Sequence, residues 1–117
     1  MQDVRAILQE FNDGVESLAA AGGKSMQAFL ELQDTVLGDD VLPNKVKELI
    51  SVGISVYNRC QYCIVYHVYS AYEAGATREE ILAAALLSMS GFGAGPSMAY
   101  ASTTLMDALN EFEHDFK

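Results

Sequence analysis

The sequence predicts an all-α fold, one domain of about six helices in the manner of a small helical bundle. Three observations carry that prediction. Ala, Leu, Met and Glu, all good helix formers, are plentiful. Apolar residues recur at three- and four-residue steps along most of the chain. Only two prolines occur, and the internal glycines cluster at a few sites. The 117 residues suffice for one buried core and fall short of two, so residues 1–117 read as a single domain.

Val4, Ile7, Leu8, Phe11, Val15 and Leu18 make residues 2–20 an amphipathic helix, ended by Ala21-Gly22-Gly23. Met26, Phe29, Leu30, Val36 and Leu37 mark a second, closed by Gly38-Asp39-Asp40. Pro43 suits the first turn of a third. That helix, with Val46, Leu49, Ile50, Gly53, Ile54 and Tyr57, is apolar on most sides and is expected at the centre of the fold. Asn58 and Arg59 interrupt the pattern, and Asn58 is a candidate cap for the fourth helix. The fourth carries Cys63, Ile64, Val65, Val68 and Tyr72 and stops at Gly75. Thr77-Arg78-Glu79-Glu80 is a capping box opening a fifth, very apolar helix through about Met89. The run Ser90-Gly91-Phe92-Gly93-Ala94-Gly95-Pro96 reads as a helix–helix turn. It follows a helix rather than a strand and lacks the lysine of a phosphate-binding loop. A last helix is striped by Met98, Ala101, Leu105, Ala108, Leu109 and Phe112.

Seven basic residues face sixteen acidic ones, a formal net charge of −9. Such a surface disfavours nucleic acid and anionic membranes as partners, because both need basic patches. No apolar run reads as long and uninterrupted enough to span a bilayer, and the first ten residues lack a signal peptide's pattern. A cytoplasmic location is the expectation. Two cysteines are too few for a disulfide framework, which points to redox chemistry or metal binding.

Both cysteines lie in N-R-C-Q-Y-C-I-V-Y-H, Asn58 to His67. Cys60 and Cys63 are three residues apart and Cys63 and His67 four, so on a helix all three share one face. Imidazole could then take or return the Cys63 thiol proton. Cys60, at the helix start, is where unpaired N–H groups and the helix dipole favour a thiolate. A free thiol titrates near pH ~8.5, so a modest downward shift activates it. Glu48 is the last charged residue before the apolar third helix closes over. If that helix packs on the fourth, its carboxylate could relay a proton to Cys63–His67. On their own, Glu48 reads as a surface carboxylate and the tyrosines Tyr57, Tyr62, Tyr66, Tyr69 and Tyr72 as packing and interface residues. His114 reads as a solvated group in the acidic tail. Three readings stay open on residues alone: a thiol redox centre, a zinc module with Cys60, Cys63, His67 and Glu48 as ligands, and an oligomeric scaffold with an inert cysteine pair.

Glu48, Cys60, Cys63 and His67 together form E-x11-C-x-x-C-x3-H. With the flanking S-V-Y-N-R-C-Q-Y-C-I-V-Y-H, E-A-G-A-T-R-E-E-I and G-A-G-P, this resembles AhpD-like alkylhydroperoxidases of the carboxymuconolactone decarboxylase superfamily. The resemblance covers residues 43–96 well; the remainder agrees only in being helical. It implies a helical fold assembled into homo-oligomers, often trimers or hexamers. It implies thiol-dependent peroxidase or disulfide reductase activity in antioxidant defence, with no haem, flavin or metal cofactor. Its substrate would be a peroxide or disulfide, and its reductant a thiol or redox partner protein. By that analogy Cys63 is the nucleophile, deprotonated through His67 and Glu48, and Cys60 the resolving cysteine. Dipole arguments alone favour Cys60 as the more acidic thiol. Some family members carry histidine between the cysteines where this chain has Gln61 and Tyr62, leaving one fewer proton-handling group.

Overall fold

The computed structural model describes all residues, Met1–Lys117. Asp3 starts the first helix, its carboxylate accepting from the Ala6 N–H at 3.1 Å, the usual remedy for an unpaired first-turn donor. Helix α1 (Val4–Leu37) then runs for 34 residues. The two helices expected on either side of Ala21-Gly22-Gly23 are therefore one helical run with a kink. Gly23 absorbs the change of direction alone, at φ 57° and ψ −136°, a conformation glycine adopts at little steric cost. Helix breakers in the sequence mark the bend, but no loop is inserted.

The far end of α1 is tied down by Lys47, whose Nζ donates to the Val36 and Gly38 carbonyls at 2.7 and 2.6 Å and pairs with Asp40 at 2.8 Å. One lysine thus satisfies carbonyls that a helix C-terminus leaves open and fixes where the next helix departs. That next helix is α2 (Asn44–Tyr57), with Pro43 at its N-cap rather than inside the first turn. Helix α3 (Gln61–Glu73) is capped by Cys60, not by Asn58; Asn58 instead sits at the C-terminus of α2 in a helical conformation.

The fourth helical run, α4 (Arg78–Phe112), begins at the expected capping box. Thr77 Oγ1 accepts from the Glu80 N–H at 3.1 Å, and Glu80 Oε1 accepts from the Thr77 N–H at 2.9 Å. The glycine-rich segment does not separate two helices by a loop. It winds into a π-turn over Met89–Gly93, and a second π-turn follows at Ala101–Leu105. Gly93, at φ −174° and ψ 54°, leaves helical geometry at the end of the first of them, so the run bends there without a loop. Pro96 is accommodated because it falls in the first turn after Gly93, where a missing N–H breaks no bond. The fold is all-helical, without strands, and has four helical runs instead of six.

Counted as one run, α4 is also long and apolar enough to cross a bilayer by composition, with mean hydropathy 1.4 over eighteen residues. In the sequence this stretch is interrupted by Gly91, Gly93, Gly95 and Pro96. One face of α4, from Ile81 and Ala85 to Leu105, Leu109 and Phe112, is core. That face packs with Val52 and Val56 of α2 and with Ile64, Val65 and Val68 of α3. Helix α2 packs on both α3 and α4, and a Cβ at Gly53 would come within 3.2 Å of the Ala84 carbonyl, so the close approach to α4 depends on glycine there. The centre of the fold is α2, as expected, but α2 is not buried all round. Ile54 is 62 % exposed, and Leu87 and Phe92 of α4 are 67 % and 73 % exposed beside it. These residues flank a groove of about 560 Å³ with an apolar lining.

Helix α1 joins this body mainly at its start. Arg5 pairs with Glu111 and Asp115 and lies 5.2 Å from the Phe112 ring centroid. Hydrogen bonds to Asp115 and Glu111 hold its guanidinium protonated well above the ordinary arginine range. Gln2 adds a bond from its N–H to Asp107 and another from Thr104 Oγ1 to its side-chain carbonyl.

Candidate redox site

The turn between α2 and α3 sets the site. After Asn58 the chain closes α2 with two reversed hydrogen bonds, Arg59 N–H to Val56 O and Cys60 N–H to Ser55 O, at 3.1 and 3.2 Å. This is a Schellman closure, which places one residue in the left-handed region. That residue is Arg59, at φ 55°. Cys60 immediately becomes the N-cap of α3, its sulfur accepting from the Cys63 N–H at 3.2 Å. One cysteine therefore ends α2 and begins α3.

Cys60 and Cys63 are joined in a disulfide, with Cα atoms 5.2 Å apart. Both are half-buried, so the bond lies where an approaching molecule can meet it. His67, one turn beyond Cys63 on the same helix face, is mostly buried. Its Nδ1 lies 2.7 Å from Glu48 Oε1 across the α2–α3 interface, and with Glu48 ionised the ring N–H donates to it. Glu48 is only 4 % exposed, so it is not the surface carboxylate its composition alone suggested. A buried carboxylate is retained at such a position when it is paired. The pairing engages Nδ1 and leaves Nε2 as the second ring nitrogen. The structure thus brings Glu48 to His67, sets His67 one turn from Cys63, and bonds Cys63 to Cys60.

Aromatic residues surround this relay. The Tyr66 ring packs edge-on against His67 at 5.1 Å and against Phe11 of α1 at 5.2 Å. Burial, and then the Glu48 charge, push the Tyr66 phenol above its ordinary range. Phe11 also meets Tyr62 at 6.3 Å, and both line a cleft with Val15, Leu18 and Glu10 beside the disulfide-bearing turn. Hydrogen bonding toward Glu10 and its charge raise the Tyr62 phenol as well. Packing was the expected role of these tyrosines, and it is what Tyr66, Tyr69 and Tyr72 do. The sequence marks Phe11 only as one apolar position of α1, with nothing that ties it to the site. His114 is exposed, as expected.

With Cys60 and Cys63 bonded to each other, no group of three or more His, Cys, Asp and Glu side chains is placed to hold a metal ion.

Similarity to known proteins agrees with this architecture. The model of the carboxymuconolactone decarboxylase family matches residues 23–106, beyond the 43–96 core over which the sequence resemblance was clear. The chain belongs to that family. It is 34 % identical over 110 residues to an uncharacterized protein of Cupriavidus necator, covering 92 % of this chain and 96 % of the relative. It is 35 % identical over 85 residues to an uncharacterized protein of the cox locus of Paracoccus denitrificans, covering 73 % and 76 %. Among solved structures, a carboxymuconolactone decarboxylase family protein from Legionella pneumophila superposes with a TM-score of 0.87 at 28 % identity, covering 97 % of this chain and 99 % of that one. A family member from Thermotoga maritima, with a suggested part in the antioxidative response, has a TM-score of 0.72 at 24 % identity, covering 94 % and 96 %; it supports the fold alone.

Proposed function

We propose that this protein is a thiol-dependent peroxidase or disulfide reductase of the AhpD type, working in the cytoplasm as a homo-oligomer. The observation that carries this reading is the 2.7 Å bond from Glu48 of α2 to His67, one turn along α3 from the Cys60–Cys63 disulfide. A buried carboxylate oriented on an imidazole, one turn from a cysteine, is a general-base arrangement for making a thiolate. In the reduced protein, His67 takes the Cys63 proton and Glu48 stabilises the imidazolium. The thiolate attacks the outer oxygen of a hydroperoxide; the O–O bond breaks and the alcohol leaves with the proton from His67. Cys63 is then a sulfenic acid. The Cys60 thiol attacks its sulfur, water leaves, and the disulfide forms. An external dithiol returns the pair to its reduced state by exchange. With an external disulfide in place of the peroxide, the same thiolate forms a mixed disulfide that Cys60 resolves.

The homo-oligomer is supported by the uncovered apolar faces of α2 and α4, since contiguous exposed apolar surface marks interaction sites.

The test is peroxide consumption by the reduced protein in the presence of a dithiol. Cys63→Ser is expected to abolish turnover. Cys60→Ser, reduced and then freed of dithiol, is expected to stop after one event, with a sulfenic acid or mixed disulfide trapped on Cys63 and visible by intact mass. Full turnover in both variants would exclude the reading.

A further inference from the structure

The same helix closure occurs twice in this chain. At the end of α3, Gly75 and Ala76 donate to Tyr72 and Ala71 at 3.0 and 2.9 Å, and the left-handed position is filled by Gly75 at φ 94°. At the end of α2 the equivalent position is Arg59, the single non-glycine residue of the chain with positive φ. Glycine is the residue that suits such a position, so local folding does not account for arginine there. A side chain kept against backbone preference directs attention to what it does.

Its charge is also unspent. Arg5, Lys45, Lys47 and Arg78 are all held in ion pairs, whereas Arg59 is exposed and makes none. Lys24 and Lys117 share that freedom, but they stand on α1 and at the chain's end. On a chain of net charge −9, the free cation beside the redox disulfide is the residue bonded directly to Cys60. A guanidinium offers a planar, two-pronged donor that matches a carboxylate.

From these observations we infer that Arg59 is a specificity residue, selecting small disulfide substrates that carry a carboxylate near the reacting sulfur. The inference rests on the thiol-redox reading above. In the step concerned, a cysteine thiolate of the reduced pair attacks one sulfur of the external disulfide while Arg59 holds its carboxylate. The external S–S bond breaks and half of it leaves as a thiolate with the bonding electrons. The second cysteine thiolate attacks the mixed disulfide, forming Cys60–Cys63 and releasing the other half. Two cysteine thiols are oxidised, one external disulfide is reduced by two electrons, and the two thiol protons pass to solvent.

The experiment uses the full chain, reduced and desalted, with two chromogenic aromatic disulfides. One is dithiobis(nitrobenzoate), which carries a carboxylate on each ring; the other is dithiodipyridine, which is uncharged. The readout is the ratio of their second-order rate constants. Arg59→Gly, which places the preferred residue in the turn and so should melt no lower than the parent, is expected to reduce the dicarboxylate-to-neutral ratio on the order of five-fold. Arg59→Lys is expected to retain most of the ratio. In the parent, the preference should shrink as salt rises to about 1 M, where the Debye length is roughly 3 Å. An unchanged ratio in Arg59→Gly overturns the inference, including the case where both rates fall together because arginine acts on the thiol instead. If the parent fails to release two thiolates per chain from the neutral probe, the redox reading itself falls, and this inference with it.

Discussion

Glu48 of α2 and His67 of α3 meet at 2.7 Å through Oε1 and Nδ1, joining two helices at a point where both side chains are largely withdrawn from water. The pair has two separable roles, orientation of the imidazole and supply of a negative charge behind it. Glu48→Gln keeps a hydrogen-bonding group of the same size but no charge. It is expected to slow peroxide oxidation of Cys63 by about ten-fold or more, less than the full ~10²–10⁴ of a positioned base because the imidazole remains, and to alter the pH profile of that rate. Glu48→Ala additionally leaves His67 without its partner and should lower stability by roughly 1–3 kcal/mol. Stopped-flow oxidation kinetics and denaturant titration separate the two effects. Wild-type kinetics in Glu48→Gln would remove the carboxylate from the mechanism.

The uncovered α2–α4 face should govern assembly. Ile54→Glu combined with Leu87→Glu places two charges on that face at positions already exposed in the single chain. The expected result is a monomer by light scattering, with helical circular dichroism intact, against a trimer or hexamer expected for the parent. A parent that is monomeric at micromolar concentration contradicts the proposal.

Thr77→Ala removes half of the capping box at the head of α4. The loss should be about 1 kcal/mol, seen as a lower denaturation midpoint with unchanged slope and a melting temperature roughly 3–6 °C lower. The same turn has a pH signature. Hydrogen bonds from the Thr77 N–H and then Lys45 hold the Glu80 carboxyl below its ordinary value of 4.5. A depressed carboxyl contributes stability above its unfolded value and loses it as pH falls through the folded one, so Glu80→Gln should flatten the acid limb below about pH 4.5.

Alkaline stability should depend on Tyr72. Its buried hydroxyl donates to the Leu109 carbonyl at 3.0 Å, and burial, followed by the Glu113 charge, raises the phenol above its ordinary 10.0. Because the folded chain holds this proton more tightly, the contribution is complete below the unfolded value. It is lost as pH rises through the folded one. Tyr72→Phe should cost about 1 kcal/mol at neutral pH and make the decline above pH 10 less steep, measured by urea titration across that range.

The sequence made the site more legible than the helix count. The residues Glu48, Cys60, Cys63 and His67 declare themselves because helical spacing and residue chemistry are local properties, and the structure adds the one fact spacing cannot supply, that α2 and α3 face each other at Glu48. Thr77 was equally readable, since a capping box is written in four consecutive residues. Glycine was the misleading signal. Gly23 and the Gly91–Gly93 stretch look like loop residues, yet one bends a helix and the other lies in a π-turn that ends at Gly93. Asn58 failed as a cap for a related reason, because the Schellman closure moved the junction two residues on to a cysteine, an unusual capping residue.

That junction limits how the chain can change in length. Since Cys60 closes one helix and opens the next, the connector contains no spare residue in which an insertion could be absorbed. Adding or removing one residue between Asn58 and Gln61 would break the paired closing bonds of α2 and the Cys60 cap of α3, displacing His67 from Glu48. The interval from Glu48 to His67 is then a fixed gauge set by helix geometry. Descendants of this chain can exchange residues along it far more readily than they can lengthen or shorten it.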